Sequence, residues 1–317
     1  MESLSDVLLR FQSKVAAAEA ARAAGDGHNA DVSQEKPSSP RLLPDRHPNR
    51  DFFVADILDC ALKDDRHSME HPMFSLSKKH DHRVRHYEHN GNTVTIKPGA
   101  DGLATIWDKD ILVYAVSQLI EGMNQGREPS RVVRMTAYDL LVNTNRHTGG
   151  GDYEQLTDAF RRLSGTRVET NIMTNGERIR QGFGLIDEWR VVERNPANGR
   201  MMAIELTLSR WLYNAVIARE VLTLNRDYFR LGGALERRLY ELARKHCGQQ
   251  ARWTIGMELL HKKSGSSDLL KRFRAAVKRL ILADSLPQYR MIYDAKSDQV
   301  TFYTKDAKKL AKSLASD

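Results

Sequence analysis

The sequence predicts an α+β fold built from two tandem copies of one unit, a helix, a strand, two helices and a β-hairpin, preceded by a flexible N-terminal extension. Three observations predict it. "VVRMTAYDLL" at 132–141 and "RWTIGMELL" at 252–260 are both short strand-like runs that lead into a helix marked by an acid and two leucines. Each is preceded by a longer amphipathic helix and followed, after a Gly/Ser/Thr-rich loop, by another. When Leu163 is aligned with Leu280, these third helices match apolar for apolar: Tyr153 with Leu270, Leu156 with Phe273, Ala159 with Ala276, Phe160 with Val277. A hairpin candidate closes each copy, "TRVETNIM" with "RQGFGLIDEWRVVE" in the first and "QYRMIYDAKSDQVTFYT" in the second. This order is that of a winged helix, whose third helix enters a DNA groove while the hairpin wing touches the backbone.

Taken in order, residues 1–50 read as a helix over 4–24, with Leu4, Val7, Leu8, Phe11 and Val15 on one face, and a partly disordered linker holding four prolines. The first winged-helix domain is placed at 51–224 with N-terminal additions. These are a helical stripe of Val54, Ile57, Leu58, Ala61 and Leu62, and a hairpin turning at Asn90-Gly91, a pair that tolerates positive φ. After Trp107 a long helix buries Ile111, Leu112, Ala115, Val116, Leu119 and Ile120. The second domain is placed at 225–305 and a Lys-rich tail at 306–317. Within the second, "ERRLYELARKHC" reads as a scaffold helix with Leu235, Leu239, Leu242 and Ala243 inside and its charges on the wet side. Asp139 and Glu258 read as helix-start charges, and Trp107, Trp189, Trp211 and Trp253 as packing residues.

Charge distinguishes the two copies. Residues 225–317 hold twenty basic and ten acidic groups, whereas the residues before them net −2 of the overall +8. "DLLKRFRAAVKRL", 268–280, is the third helix of the second copy. Leu270, Phe273, Ala276, Val277, Leu280 and Ile281 form its apolar stripe, with Asp268 at the dipole's positive end and Ser266 or Ser267 as N-cap. A wet face this positive suits duplex DNA, whose phosphates and guanine O6/N7 edges accept from Arg and Lys. The expected contacts are Ser266, Ser267, Lys271, Arg272, Arg274, Lys278 and Arg279, with Arg290 and Lys296 from the wing. In the first copy Asp152, Glu154, Gln155 and Asp158 stand beside Arg161 and Arg162. That mixed face suits secondary contacts from Gln155, Arg161, Arg162, Arg167, Arg178 and Arg180, a homodimer interface, or both.

Other chemistries find little support. Cys60 and Cys247 are too few for a disulfide framework or zinc site. The longest apolar run, "ILVYAV", is far too short for a bilayer, and no basic-then-apolar leader is evident, so a cytoplasmic protein without membrane partners is expected. "HDHRVRHYEH" places four of the eleven histidines within ten residues. A rolling-circle nuclease would hold a metal on His-x-His around a bulky apolar anchor, with Tyr87 as nucleophile. Here the middle residue is Asp81, and an exposed basic strand with Val84 and His86 facing the core is the simpler account. "TGGGD" lacks the Gly-Lys-Ser/Thr of a nucleotide loop. No metal, cofactor or catalytic residue is therefore expected.

Eight blocks in one order then carry a family resemblance from about residue 44 to about residue 300: "DRHPNRDFFVADIL", "HSMEHPMFSLSKK", "GLATIWDKDIL", "MTAYDLL", "GFGLIDEW", "LTLSRWLYNAV", "LNRDYFRL" and "LERRLYELARKHCG". The chain resembles the plasmid replication initiator protein A family. The resemblance implies a sequence-specific protein that recognises repeated sites at a plasmid origin, helps to open an adjacent A·T-rich segment and brings in host initiator and helicase-loading proteins. It also implies tandem winged helices with most site reading in the C-terminal one. The alternatives are a winged-helix transcriptional repressor and a metal-dependent nicking enzyme.

Overall fold

The computed structural model describes residues 42–47, 61–89, 91–172, 180–193, 201–248 and 250–314, all within one compact unit, Pro40–Asp317. The helix expected over 4–24, most of the linker, and Val54, Ile57 and Leu58 lie outside the described residues. Ala61 and Leu62 are described and are not helical. They lead into β1 (Lys63–Asp65) and the short α1 (Arg66–Glu70), whose N-cap Asp65 accepts the Ser68 amide at 2.7 Å. The expected hairpin follows as β2 (Arg85–His89) and β3 (Asn92–Lys97), with Gly91 in its turn at φ +73°. Helix α2 (Lys109–Asn124) buries all six expected apolar residues.

The first repeat begins with β4 (Val132–Thr136), where Val133 and Met135 alternate inward as strand periodicity requires. Thr136 caps α3 (Ala137–Asn143) by accepting the Asp139 amide at 3.0 Å. Helix α4 (Gly150–Gly165) buries Leu156, Ala159, Phe160 and Leu163, and its "TGGGD" start is a helix entry in which the Gly149 amide donates to Asp152. The next strands correct the expected wing. β5 (Arg167–Thr170) and β6 (Gln181–Gly184) do pair, but they join the earlier hairpin in a four-stranded sheet, β2-β3-β5-β6. The hairpin that completes the first repeat is β7 (Ile186–Glu193) with β8 (Met201–Leu208). A sharp corner at Gly184 separates the sheets; a Cβ there would lie 2.7 Å from the Ile186 carbonyl, so the chain changes sheet where only glycine fits.

Helix α5 (Arg210–Ile217), β9 (Val221–Thr223), which pairs with β1, and a 3₁₀ turn at Arg226–Arg230 lead to α6 (Ala234–His246). The second repeat is β10 (Arg252–Gly256), α7 (Met257–Ser264), α8 (Leu270–Ala283), β11 (Tyr289–Asp294) and β12 (Gln299–Thr304). The two repeats agree in strand order, β4-β8-β7 and β10-β12-β11: in each, the strand ahead of the helix pair bonds to the second strand of the hairpin. The residues expected as a tail continue as α9 (Ala307–Leu314).

Two apolar cores organise this chain. One gathers α2, α4 and the first hairpin around Tyr114, Phe160 and Leu206; the other gathers α6, α8 and the second hairpin around Tyr240, Phe273 and Phe302. Met69 of α1 and Val113 of α2 belong to the second core, so the amino-terminal half helps to build the carboxy-terminal one. Trp211 stacks on Phe183, Trp189 on Phe160 and Trp253 on Phe302, all as packing groups.

Residues 42–47 also depart from the linker expectation. Leu43 donates to the Arg230 carbonyl at 2.8 Å and accepts from Arg230 Nε at 2.8 Å. Arg46 bonds through its amide to Asn145 Oδ1, and through its guanidinium to Asn145 O and His147. Proline-rich composition shows where regular structure stops, but says nothing of an extended strap that bonds to distant turns.

Candidate nucleic-acid interface

Helix α8 carries an exposed cationic face. Phe273 and Val277 are fully buried, and Leu270, Ala276, Leu280 and Ile281 are half-buried beside them, so the expected stripe is the packed one. Lys271, Arg272, Lys278 and Arg279 point away from it and are exposed. Among the described residues, the side chains of Lys271, Arg272 and Arg279 have no hydrogen-bond or ion-pair partner. The cap differs from expectation: Leu269 occupies the N-cap position without a side-chain bond, Ser266 Oγ accepts the Asp268 amide at 3.2 Å, and Asp268 lies one residue ahead of the cap. Ser266 is half-buried and Ser267 exposed, both in the loop ahead of the helix. That loop is held from the other half of the chain, since Arg85 Nη1 on β2 donates to Gly265 O at 3.0 Å.

Three of the basic residues expected at the DNA have protein partners. Arg274 reaches the hairpin turn, with Nε 3.0 Å from Asp298 Oδ1 and Nη2 2.8 Å from Asp298 Oδ2. The Tyr293 hydroxyl also donates to Asp298 at 2.8 Å, and Lys278 sits 4.4 Å over the Tyr293 ring. Arg274 and Tyr293 hold the Asp298 carboxyl below its usual range by donating to it. Arg290 pairs with Asp284 at 2.7 Å, while Lys296 is exposed at the hairpin turn. Helix and hairpin therefore form one braced surface. Sequence reasoning missed Asp298 and Tyr293, because a partner 24 residues away leaves no trace in helical periodicity.

The first repeat is different. Arg162 makes two 2.8 Å bonds to the buried Asp108, which also accepts the Thr105 amide, so this guanidinium is a structural strut. Arg161 pairs with Asp158 on the helix surface, and Gln155 and Glu154 are exposed next to it. Arg167 and Arg180 are exposed but lie on or beside the four-stranded sheet, off the hairpin that completes the repeat; Arg178 lies outside the described residues. The face of α4 thus offers few uncompensated cations.

The charges of α6 correct the sequence reading outright. Glu236, Arg237, Arg238 and Glu241 are all buried, and the last three join a network that spans the two halves of the chain. Lys109 Nζ lies 2.6 Å from Asp64 and 2.9 Å from Glu241, and Glu241 also meets Arg238 at 3.0 Å and accepts from Tyr228 at 2.7 Å. Arg237 meets Asp110 at 2.6 Å. Arg238 donates to the Ser68, Met69 and Glu70 carbonyls and to Lys263 O, covering the unpaired carboxyl ends of α1 and α7 with one guanidinium. Burial drives the Asp64 carboxyl up to about 8 against the pull of Lys109. Burial also opposes ionisation of Glu241, but Lys109 and Arg238 outweigh it and hold that carboxyl down. Nearby, burial and the charge of Lys263 depress both His71 and His246 to about 4. Glu70 is buried in part, yet its bonds to Lys245 and the charge of Lys263 hold it at about 2. An amphipathic pattern cannot reveal such a network, since paired charges inside look like solvated charges outside.

The histidine-rich stretch is an irregular segment, 80–84, that leads into β2. Asp81 is buried and accepts from Arg83 at 2.9 Å and Arg85 at 2.5 Å, which lowers its carboxyl. His80 bonds to the Asp101 carbonyl and His86 to Thr95. Val84 is 61% exposed and His86 is exposed too, contrary to expectation; Arg85 and Tyr87 are the partly covered residues. Among the described residues no group of three or more His, Cys, Asp or Glu is placed to hold a metal ion, and no helix is long and apolar enough to cross a membrane.

Comparison with known proteins adds the following. Residues 63–291 match the family model described as replication initiator protein A. A protein of Wigglesworthia glossinidia brevipalpis named "Putative replication protein" is 40% identical over 256 residues, which is 80% of this chain and 93% of that one. The crystal structure of RctB domains 2-3 superposes with a TM-score of 0.52 at 12% identity, covering 76% of this chain and 98% of that one. A Pi initiator protein crystallised in complex with iteron DNA gives a TM-score of 0.43 at 14% identity, over 63% of this chain and 91% of that one.

Proposed function

The chain belongs to the replication initiator protein A family, and on that premise we propose that it binds repeated duplex sites at a plasmid origin through α8 and the β11–β12 hairpin. The carrying observation is that α8 exposes unpartnered Lys271, Arg272 and Arg279 on one face while Arg274 braces the hairpin beside them. Phosphate contacts place such a helix and groove contacts give it sequence preference. We assign Lys271, Arg272, Lys278, Arg279 and Lys296 to the DNA, with Ser266 and Ser267 near the backbone. Arg274 and Arg290 brace the surface. In this reading the two repeats are tandem winged helices, and the boundary between them falls near residue 224.

The first repeat, with its compensated α4 face, serves backbone contact or pairing with a second copy. Binding and bending of the duplex, rather than catalysis, destabilise the neighbouring segment and present it to host replication proteins. No cofactor takes part. The test is the salt dependence of binding to a repeat-containing origin and to scrambled DNA, for the native chain and for a variant with Lys271, Arg272, Lys278 and Arg279 changed to Ala. Preference that persists with salt, together with a loss of affinity for the origin in the variant, supports the proposal. Equal affinity for both duplexes, falling together with salt, would sink it.

A further inference from the structure

The exposed face of α8 is not uniformly charged. Two residues along its middle carry no polar side-chain atom, Ala275 and, at the last turn, Leu282, which is 87% exposed; one heptad before Ala275 the same line starts at Asp268, ahead of the helix. At about 100° per residue, Ala275 and Leu282 fall within about 20° of each other, opposite the buried Phe273 and Val277. Lys271 and Lys278 lie to one side of this line, and Arg272 and Arg279 to the other. Each pair is one heptad apart, about 10 Å along the helix. The hairpin packs on the lysine side, where Lys278 covers Tyr293 and Arg274 holds Asp298. The surface is a central apolar line between two cationic rails.

A flat anionic partner would favour cations across the whole face. An apolar line costs nothing only against a surface that is itself apolar along its middle and anionic at both edges. The major groove of duplex DNA has that cross-section: phosphates on both walls, and thymine 5-methyl groups on the floor wherever an A·T pair lies. Resting on the DNA-binding role proposed above, we propose that Ala275 and Leu282 read thymine methyl groups, while the lysine and arginine rails hold the two backbones. Specificity on this account comes from apolar contact rather than from bidentate arginine pairing with guanine.

The experiment selects duplexes from a randomised pool with the full chain, then replaces each thymine of the enriched motif by deoxyuridine. That change removes a methyl group and leaves base pairing intact. Loss of about fourfold in affinity at one or two positions is expected, the effect of burying one methyl group. Ala275→Ser and Leu282→Ala, both at exposed positions and so without cost to the core, should bind the thymine and deoxyuridine duplexes alike. A motif indifferent to deoxyuridine, or a sensitivity unchanged in both variants, overturns the inference while leaving the DNA-binding role standing. So does a Leu282→Ala variant that alters self-association and keeps the thymine preference, since the apolar line then faces a second copy. If no motif is enriched, the proposed function fails and the inference with it.

Discussion

Arg274 in the middle of α8 and Asp298 in the turn of the following hairpin make a bidentate pair, with bonds of 3.0 and 2.8 Å. The backbone of Asp298 is also engaged, since its carbonyl accepts the Met257 amide at 2.9 Å and its φ is +51°. One residue thus joins the hairpin to α8 and to the start of α7. Arg274 spends its donors inside the protein, which separates it in kind from the unpartnered Arg272 and Arg279 on the same helix.

Asp298→Asn keeps a residue that tolerates the left-handed backbone and removes the charge that Arg274 grips. Amide exchange at 294–298 should quicken, with little change in the exchange of the core strands. DNA affinity should fall less than in Arg272→Ala. Hydrogen-exchange mass spectrometry checks the first point, and exchange at the turn equal to that of the native chain would show that the pair braces nothing.

Arg279→Ala should lower the slope of log affinity against log salt by about one, the share of one phosphate contact. Arg162→Ala should leave the slope alone and instead lower stability by roughly 1–3 kcal/mol, because it leaves the buried Asp108 without its charge-assisted bonds. Urea titration and binding isotherms on both variants distinguish a phosphate contact from a strut.

Lys109→Met should cost about 3–5 kcal/mol by leaving Glu241 and Asp64 beside no ammonium. Asp64→Asn should act otherwise. The folded-state pKa of Asp64 lies above its ordinary 3.8, so its contribution to stability is full below that value and is lost as pH rises through about 8. Asn does not titrate, and the variant should gain on the native chain by roughly 2–4 kcal/mol between pH 4 and pH 9. Parallel denaturation curves at all pH values would show that Asp64 keeps its charge inside.

His71 and His246 run the opposite way. Each is depressed to about 4 from an ordinary 6.5, so the stability they contribute is present above 6.5 and is lost as pH falls through 4. Unfolding below pH 6.5 should therefore steepen by about 1–3 kcal/mol per histidine. A His71→Gln, His246→Gln variant should flatten the profile over that window in a pH series of urea midpoints. Glu70, held at about 2, keeps the native chain acid-sensitive below 4.5 in either case.

Much of this molecule was legible from periodicity. Val133 and Met135 alternate, Thr136 caps, and Phe273 and Val277 recur at helical spacing, so β4, α3 and α8 follow from local chemistry. The charge gradient pointed to α8 before any fold was known. The hairpin of the first repeat was misplaced because "TRVETNIM" and "RQGFG" are good strands that do pair, and strand propensity does not say which sheet a strand joins. The steric corner at Gly184 makes that choice.

The sequence by itself determined the repeated order of strand, helix and helix, the buried stripes of α2, α4 and α8 and the sign of the charge on α8, since these depend on near neighbours and on summed charge. Tertiary structure decided which charges are available. Arg237, Arg238, Arg162 and Arg274 look no different along the chain from Lys271, Arg272 and Arg279. Only the folded arrangement brings Asp110, Asp108 and Asp298 to Arg237, Arg162 and Arg274 and buries the local Arg238–Glu241 pair, and a guanidinium held and neutralised by a carboxylate in this way is turned from a phosphate.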